Sequence, residues 1–273
     1  MISLIKILQS ELDNYLPKKG RLARAMRYSI FAGGKRFRPR LCFATAEALG
    51  KNPTRILPIA CAIEMIHTFT LIHDDLPAMD NSDYRRGKLA CHKKFDEATA
   101  VLAGDALNTL AFEILARETG DAKVIAEISR ALLGVVDGQV ADIGSADKKI
   151  SLAKLKSIHR QKTAALLKAC ALSVAIYLKA SPKQLKALTA YAEHLGLAFQ
   201  VADDVLDATS TREKLGKPVK ADLKKGFPYL IGIEKSIKLA RREKKKAIQA
   251  LKIFDEKATA LVSLAEYVVE RNK

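Results

Sequence analysis

Tryptophan is absent, aromatic residues make up only 6% of the chain, and stretches with the period of a strand are nearly missing. That argues against a sheet protein, and the dominance of Ala and Leu favours helices. Cysteine is scarce too. Cys42, Cys61, Cys91 and Cys170 are widely spread and none forms a CxxC pair. This excludes a disulfide or zinc framework and reads as reduced thiols of a cytoplasmic protein. No apolar run is expected to reach transmembrane length, since the nearest, AALLKACALSVAIYL, carries Lys168. The opening MISLIKILQSELDNYL spaces Ile5, Leu8, Leu12 and Leu16 as a helix does. It has acidic residues and no basic leader, so a signal peptide is not expected. Acidic residues are in the minority, 30 against 47 basic ones, for a net charge of +17 and a pI near 9.7. That balance suits a basic surface, nucleic-acid or anionic-membrane binding, or a small and highly anionic substrate; charge alone does not choose among them.

What is present is enough for a large core. The 273 residues are 49% hydrophobic and 28% charged, a globular composition that allows one domain or at most two small ones. Helical periodicity predicts helices near 2–16, 21–32, 37–49, 54–74, 94–118, 122–141, 151–159, 161–178, 182–207, 228–250 and 255–271. Breakers fall between them, among them Pro17, Gly33–Gly34, Gly50, Gly87, Gly120, Gly144 and Pro182. Ser151 and Ser181 suit N-caps. With no long polar linker and no repeat, residues 1–273 read as a single all-α domain. The segments 54–74 and 182–207 are apolar almost all round, as helices at the centre of a bundle are. Both end in a cluster of aspartates.

The first cluster lies in LIHDDLPAMD, with Asp74, Asp75 and Asp80. Like charges gather there where a helix C-terminus already disfavours them. Pro77 must distort or end the helix. A kink would return Asp80 to Asp74; a plain helix end would leave Asp80 in a loop. The second cluster, FQVADDVLD, holds Asp203, Asp204 and Asp207, of which Asp203 and Asp207 are four apart and share a helical face. Carboxylates without His or Cys at ligand spacing suit Mg²⁺, which binds through a few carboxylates and substrate phosphates. Cations for such phosphates flank the clusters: Lys35, Arg36 and Arg38 in GGKRFRPR, Arg85 and Arg86 in DYRRGK, Lys162 in RQKTA and Lys217 in KLGKP. Any one of these segments alone would read as surface charge.

Together GGKRFRP, EMIHTFTLIHDDLPAMDNSDYRRGK, GQVAD, IHRQKTAALL, FQVADDVLD and EKLGKP resemble the trans-isoprenyl diphosphate synthases, and within them the bacterial farnesyl type. The resemblance runs from about residue 20 to the tail VVERNK. It implies an all-α prenyl-synthase bundle around a deep central cavity, usually a homodimer. The reaction it implies joins isopentenyl diphosphate head-to-tail to dimethylallyl or geranyl diphosphate. Three Mg²⁺ ions are implied, with Mn²⁺ an alternative, bound by Asp74, Asp75 and Asp80 and by Asp203, Asp204 and Asp207. Arg85, Lys162 and Lys217 are then implied for the allylic diphosphate. Gly34, Lys35, Arg38, His67 and Arg86 are implied for isopentenyl diphosphate, and Thr163 and Gln200 for oxygens near the developing carbocation. His73 reads as a hydrogen-bonded core residue.

Chain length follows from Phe69, five residues before Asp74 and so about 7.5 Å further along a helix. By resemblance a bulky aromatic there floors the pocket at fifteen carbons, and the adjacent Thr70 is small, as in the bacterial farnesyl type. Some features depart from the pattern: NSD at 81–83 is less acidic, Ala164 replaces a Gly, and Lys224 or Lys225 stands for the lysine of a closing loop. The rival readings are a geranylgeranyl diphosphate synthase, a terpene cyclase, a His-Asp phosphohydrolase and a basic helical nucleic-acid-binding protein. Neither nucleic acid nor a membrane span is expected.

Overall fold

A computed structural model describes residues 2–145, 148–209 and 226–271. Its helices are α1 (Ile2–Tyr15), α2 (Arg21–Ile30), α3 (Phe37–Ala48), α4 (Leu57–Asp74), α5 (Cys91–Lys94), α6 (Glu97–Ile114) and α7 (Ala122–Ile143). They continue with α8 (Leu152–His159), α9 (Ala165–Tyr177), α10 (Pro182–Thr209), α11 (Phe227–Ile231), α12 (Ile233–Ala250) and α13 (Thr259–Glu270). Among the described residues the only strands are β1 (Tyr84–Arg85) and β2 (Lys88–Leu89), an antiparallel pair. Their turn, Arg86–Gly87, has positive φ at both residues (54° and 75°), the geometry that suits a tight hairpin. The all-α expectation holds.

Most predicted helices are present, but several are cut where backbone chemistry demands it. Gly232, at φ 81°, separates α11 from α12, so the span predicted at 228–250 is two helices. Asp255 leaves helical φ/ψ before α13. Two wide π turns, Leu115–Thr119 and Arg160–Ala164, extend α6 and join α8 to α9.

By contact the chain divides into two compact units: Met1–Phe43 with Pro53–Ala122, and Ala44–Asn52 with Lys123–Lys273. In the first, α4 packs against α1, α2 and α6. Ile59, Ile63, Met65 and Ile66 are buried round its circumference, as an all-round apolar sequence requires. In the second, α10 buries Leu188, Tyr191, Leu195, Ala198 and Val201 and packs against α9, α12 and α13. The four cysteines are buried thiols outside any disulfide.

The expectation that no run reaches transmembrane length needs correction. Pro53–Asp74 and Glu97–Thr119, with mean hydropathies of 1.6 and 1.3, are long and apolar enough by composition. Polar residues such as Glu64 and His67 interrupt the first run in sequence, while its mean hydropathy stays high. Most of its apolar part is buried, so it also meets the description of a core helix.

Candidate active site

In the first unit, α4 ends at Asp74 and Asp75 caps it. Pro77 permits no continuation. Instead the chain folds back, with the Asp80 N–H donating to the Asp74 carbonyl (2.9 Å) and the Ser82 N–H to the Asp75 carbonyl (3.1 Å). The geometry is therefore a true helix end rather than a kinked helix, yet its closing turn still returns the backbone of Asp80 to Asp74. Asp74 is half-buried and the Asp80 side chain is exposed.

Asp75 departs from its expected role. Its carboxylate is only 2% exposed and is engaged by Arg85, whose Nε lies 2.9 and 3.0 Å from the two oxygens and whose Nη2 completes the fork. Asp75 is thus an ion-pair partner, and Arg85 is turned toward it rather than presented to an anion. A guanidinium also offsets the charge that the helix C-terminus disfavours.

The glycine-rich loop stands on a second buried pair. Gly33 and Gly34 have φ of 97° and 107°, and Arg36, a residue with a Cβ, is held at φ 49°. What holds it is bonding: Arg36 is 5% exposed and donates to Glu64 Oε1 (2.5 Å) and the Ile30 carbonyl (2.6 Å), while Glu64 is 1% exposed. Arg86 Nη1 donates to the Gly33 carbonyl (2.6 Å), and a Cβ at Gly34 would strike the Arg86 guanidinium. Glycine therefore suits 34 by conformation, and its missing side chain leaves the room that the Arg86 guanidinium fills.

Arg38 Nη1 lies 3.0 Å from His67 Nε2. Burial, followed by the guanidiniums of Arg38, Arg86, Arg85 and Arg36, pushes His67 well below the usual imidazole range. The imidazole is neutral at pH 7, so Nε2 accepts from Arg38. Arg36 and Arg85 are paired with Glu64 and Asp75, which leaves Arg38 and Arg86 beside the neutral ring as the cations suited to an anion. The structure thus brings together Gly34, Arg38, His67 and Arg86; Lys35 lies exposed on the same loop. Thr70 turns back, donating to the His67 carbonyl (2.8 Å).

In the second unit, the π turn carries Lys162 and Thr163. Room for it comes from two glycines: a Cβ at Gly138 would meet the backbone of Lys162, and one at Gly196 would meet Ala164. Gly196 explains how Ala164 is accommodated. Lys162 Nζ bonds Asp142 (2.7 Å). Thr163 Oγ1 donates to Gln200 Oε1 (2.8 Å), and Gln200 Nε2 donates to Asp204 Oδ1 (2.8 Å). The Phe227 N–H, opening α11, donates to Asp204 Oδ2 (2.9 Å). Asp204 therefore has both oxygens engaged, and it caps a helix rather than standing open to a metal. Asp203 is bonded by Arg271, whose guanidinium also covers the Phe199 ring at 4.2 Å. Asp207 is exposed. Lys217, Lys224 and Lys225 lie outside the described residues.

Among the described residues no three His, Cys, Asp or Glu side chains converge as a metal group. Arg85, Arg271, Gln200 and the Phe227 amide engage three of the six aspartates. The donors are nonetheless hard carboxylate oxygens with Asp80 and Asp207 exposed, the chemistry that fits Mg²⁺. Sequence reasoning did not assign Glu64, Asp142, His159 or Arg271 to the site. His159 stacks on Phe227 (5.6 Å) with Nε2 3.6 Å from Asp204. All four lie in the quoted motifs EMIHTFTLIHDDLPAMDNSDYRRGK, GQVAD and IHRQKTAALL or in the tail VVERNK, and Glu64 also stands out as a lone acid in an apolar helix.

Residues 19–269 match the family model described as polyprenyl synthetase. The geranylgeranyl diphosphate synthase of Cyanophora paradoxa is 46% identical over 91% of this chain and 87% of its own length. The farnesyl diphosphate synthase of Micrococcus luteus is 42% identical over 98% and 95%. The structure of a Helicobacter pylori geranyltransferase complexed with magnesium and isoprenyl diphosphate superposes with a TM-score of 0.82, at 32% identity over 97% of this chain and 93% of that one. The chain belongs to the polyprenyl synthetase family. It is a prenyltransferase of the trans type with the family's all-α fold.

Proposed function

We propose that this enzyme is a farnesyl diphosphate synthase, condensing isopentenyl diphosphate with dimethylallyl and then geranyl diphosphate. The relatives named above include makers of both farnesyl and geranylgeranyl diphosphate, so the reading rests on this chain's own residues. The observation that carries it is Phe69, half-buried on α4 five residues before Asp74.

Diphosphate departs only when its charge is neutralised. Mg²⁺, three ions in this reading, would supply that neutralisation when held by Asp74 and Asp80 and by Asp203 and Asp207, with Asp204 holding Gln200 and the start of α11 beside them. Asp75 orients Arg85 beside the first carboxylates. Gly34, Lys35, Arg38, His67 and Arg86 hold the diphosphate of isopentenyl diphosphate. Neutral His67 accepts from Arg38 through Nε2, which leaves its ring proton on Nδ1. Lys162 and Lys217 serve the allylic diphosphate. The allylic C–O bond breaks with its electron pair going to diphosphate, and the isopentenyl double bond attacks the allylic carbon. Thr163 and Gln200, locked to each other, present oxygen dipoles to the cation. The proton lost on forming the new double bond goes to the departed diphosphate. We further read residues 1–273 as one functional domain, working as a cytoplasmic homodimer; the family match spanning both compact units supports the single domain.

The test is a product assay with isopentenyl and dimethylallyl diphosphates, with Mg²⁺ and with chelator, identifying prenyl alcohols after dephosphorylation. A Mg²⁺-dependent fifteen-carbon product is expected. A twenty-carbon product would replace this reading with the geranylgeranyl one.

A further inference from the structure

We propose that His73 is a positioning residue for product length, acting by fixing the ring of Phe69; this rests on the reading of Phe69 as the pocket floor. His73 and Phe69 are four apart on α4 and share a face. Their rings meet edge to face, with centroids 5.1 Å apart and an interplanar angle of 89°, a favoured aromatic arrangement. The imidazole is itself fixed by α6. Its Nε2 lies 3.1 Å from the carbonyl of Val101 and 3.8 Å from Asp105 Oδ1. A carbonyl only accepts, so Nε2 carries the proton in this contact. On the same turn of α6, Gly104 lies so close that a Cβ there would sit inside the imidazole.

The order of support is therefore Gly104, His73, Phe69. The bare backbone of α6 admits the imidazole, the Val101 carbonyl stops it from swinging, and its edge denies Phe69 the space in which its ring would otherwise turn aside. Thr70 does not fill that space, because its hydroxyl is bonded back to its own helix. A phenyl ring is an effective floor only while it is kept across the path of the growing chain. Without His73 the same phenylalanine is a hinged barrier.

The experiment compares product distributions of the wild type, Phe69→Ala, His73→Ala and the double variant, with isopentenyl and geranyl diphosphates under identical turnover. Phe69→Ala should lengthen the product. His73→Ala, with Phe69 still present, should raise the ratio of the next longer product to the wild-type product roughly two- to tenfold, the change that loss of one aromatic edge contact corresponds to. The double variant should match Phe69→Ala alone. A merely structural His73 would lower the rate and melting temperature without moving the ratio. Should His73→Ala not fold, His73→Ser, which is also too small to touch the Phe69 ring, carries the same comparison. If Phe69→Ala leaves the length unchanged, the floor reading fails. If Phe69→Ala lengthens the product and the His73 variants do not, the floor stands and this proposal is overturned. Lengthening by His73→Ala that adds to Phe69→Ala would also overturn it, because His73 would then act independently of the ring.

Discussion

Replacing Glu64 by alanine removes the carboxylate that Arg36 bonds among the described residues, from a site where both partners are at most 5% exposed. Breaking a buried pair by deleting one member costs about 3–5 kcal/mol, because the remaining charge is stranded. Against a typical total of about 5–15 kcal/mol that is a large share. At roughly 2–4 °C per kcal/mol for a chain of this order of length, the melting temperature should fall by about 10 °C. Arg36 also sits at φ 49°, a strained backbone that persists only while its surroundings over-determine it. Loss of Glu64 should therefore release the loop carrying Gly34, Lys35 and Arg38. In steady-state kinetics the KM for isopentenyl diphosphate should rise more than the KM for the allylic substrate. The double replacement Arg36→Met with Glu64→Leu separates the two effects. An apolar pair of similar volume removes the stranded charge and should recover most of the melting temperature, yet nothing then ties the loop to the Ile30 carbonyl, so the KM defect should remain. A Glu64→Ala melting temperature within a degree or two of wild type would refute this reasoning.

Other outcomes follow from the same geometry. His67 has a folded-state pKa depressed by burial and by the surrounding guanidiniums, so the unfolded chain binds its proton first as pH falls. Stability should be fully present above the unfolded value of about 6.5 and decline below it, by at most ~1.4 kcal/mol per pH unit until the folded pKa is reached. Urea titrations at pH 7 and pH 5 should show that decline, and His67→Gln should remove its share. Gly196→Ala should cost about 1–3 kcal/mol by overpacking against Ala164, and adding Ala164→Gly should restore the thermal midpoint. Chelation should abolish condensation, and Mg²⁺ should restore it.

The helices were legible because α4 and α10 are long and predominantly apolar, with no glycine or proline pair to break them. The two units were not, because no loop between them is polar or long enough to announce a boundary. Both aspartate clusters were legible as carboxylates in apolar surroundings. What the sequence concealed was their partners. Arg85 lies ten residues from Asp75 and Arg271 lies 68 from Asp203, separations that no helical period encodes. The wide turn at Arg160–Ala164 was hidden for another reason. Its room comes from absent side chains at Gly138 and Gly196, on two other helices, so its cause is written outside the segment itself. The end of α4 at Asp74 was foreseeable from Pro77, but the return of Asp80 depends on backbone bonds that composition does not specify.

The four buried thiols give this molecule a native clock. Cys42, Cys61 and Cys91 belong to one compact unit and Cys170 to the other. Burial pushes the Cys61 and Cys91 thiols upward in pKa, so each stays unreactive while its surroundings are closed. An alkylating reagent therefore reaches a given sulfur only when the helices around it open. Modification rates at Cys170 and at the other three would time the opening of each half separately, without a label or a substitution.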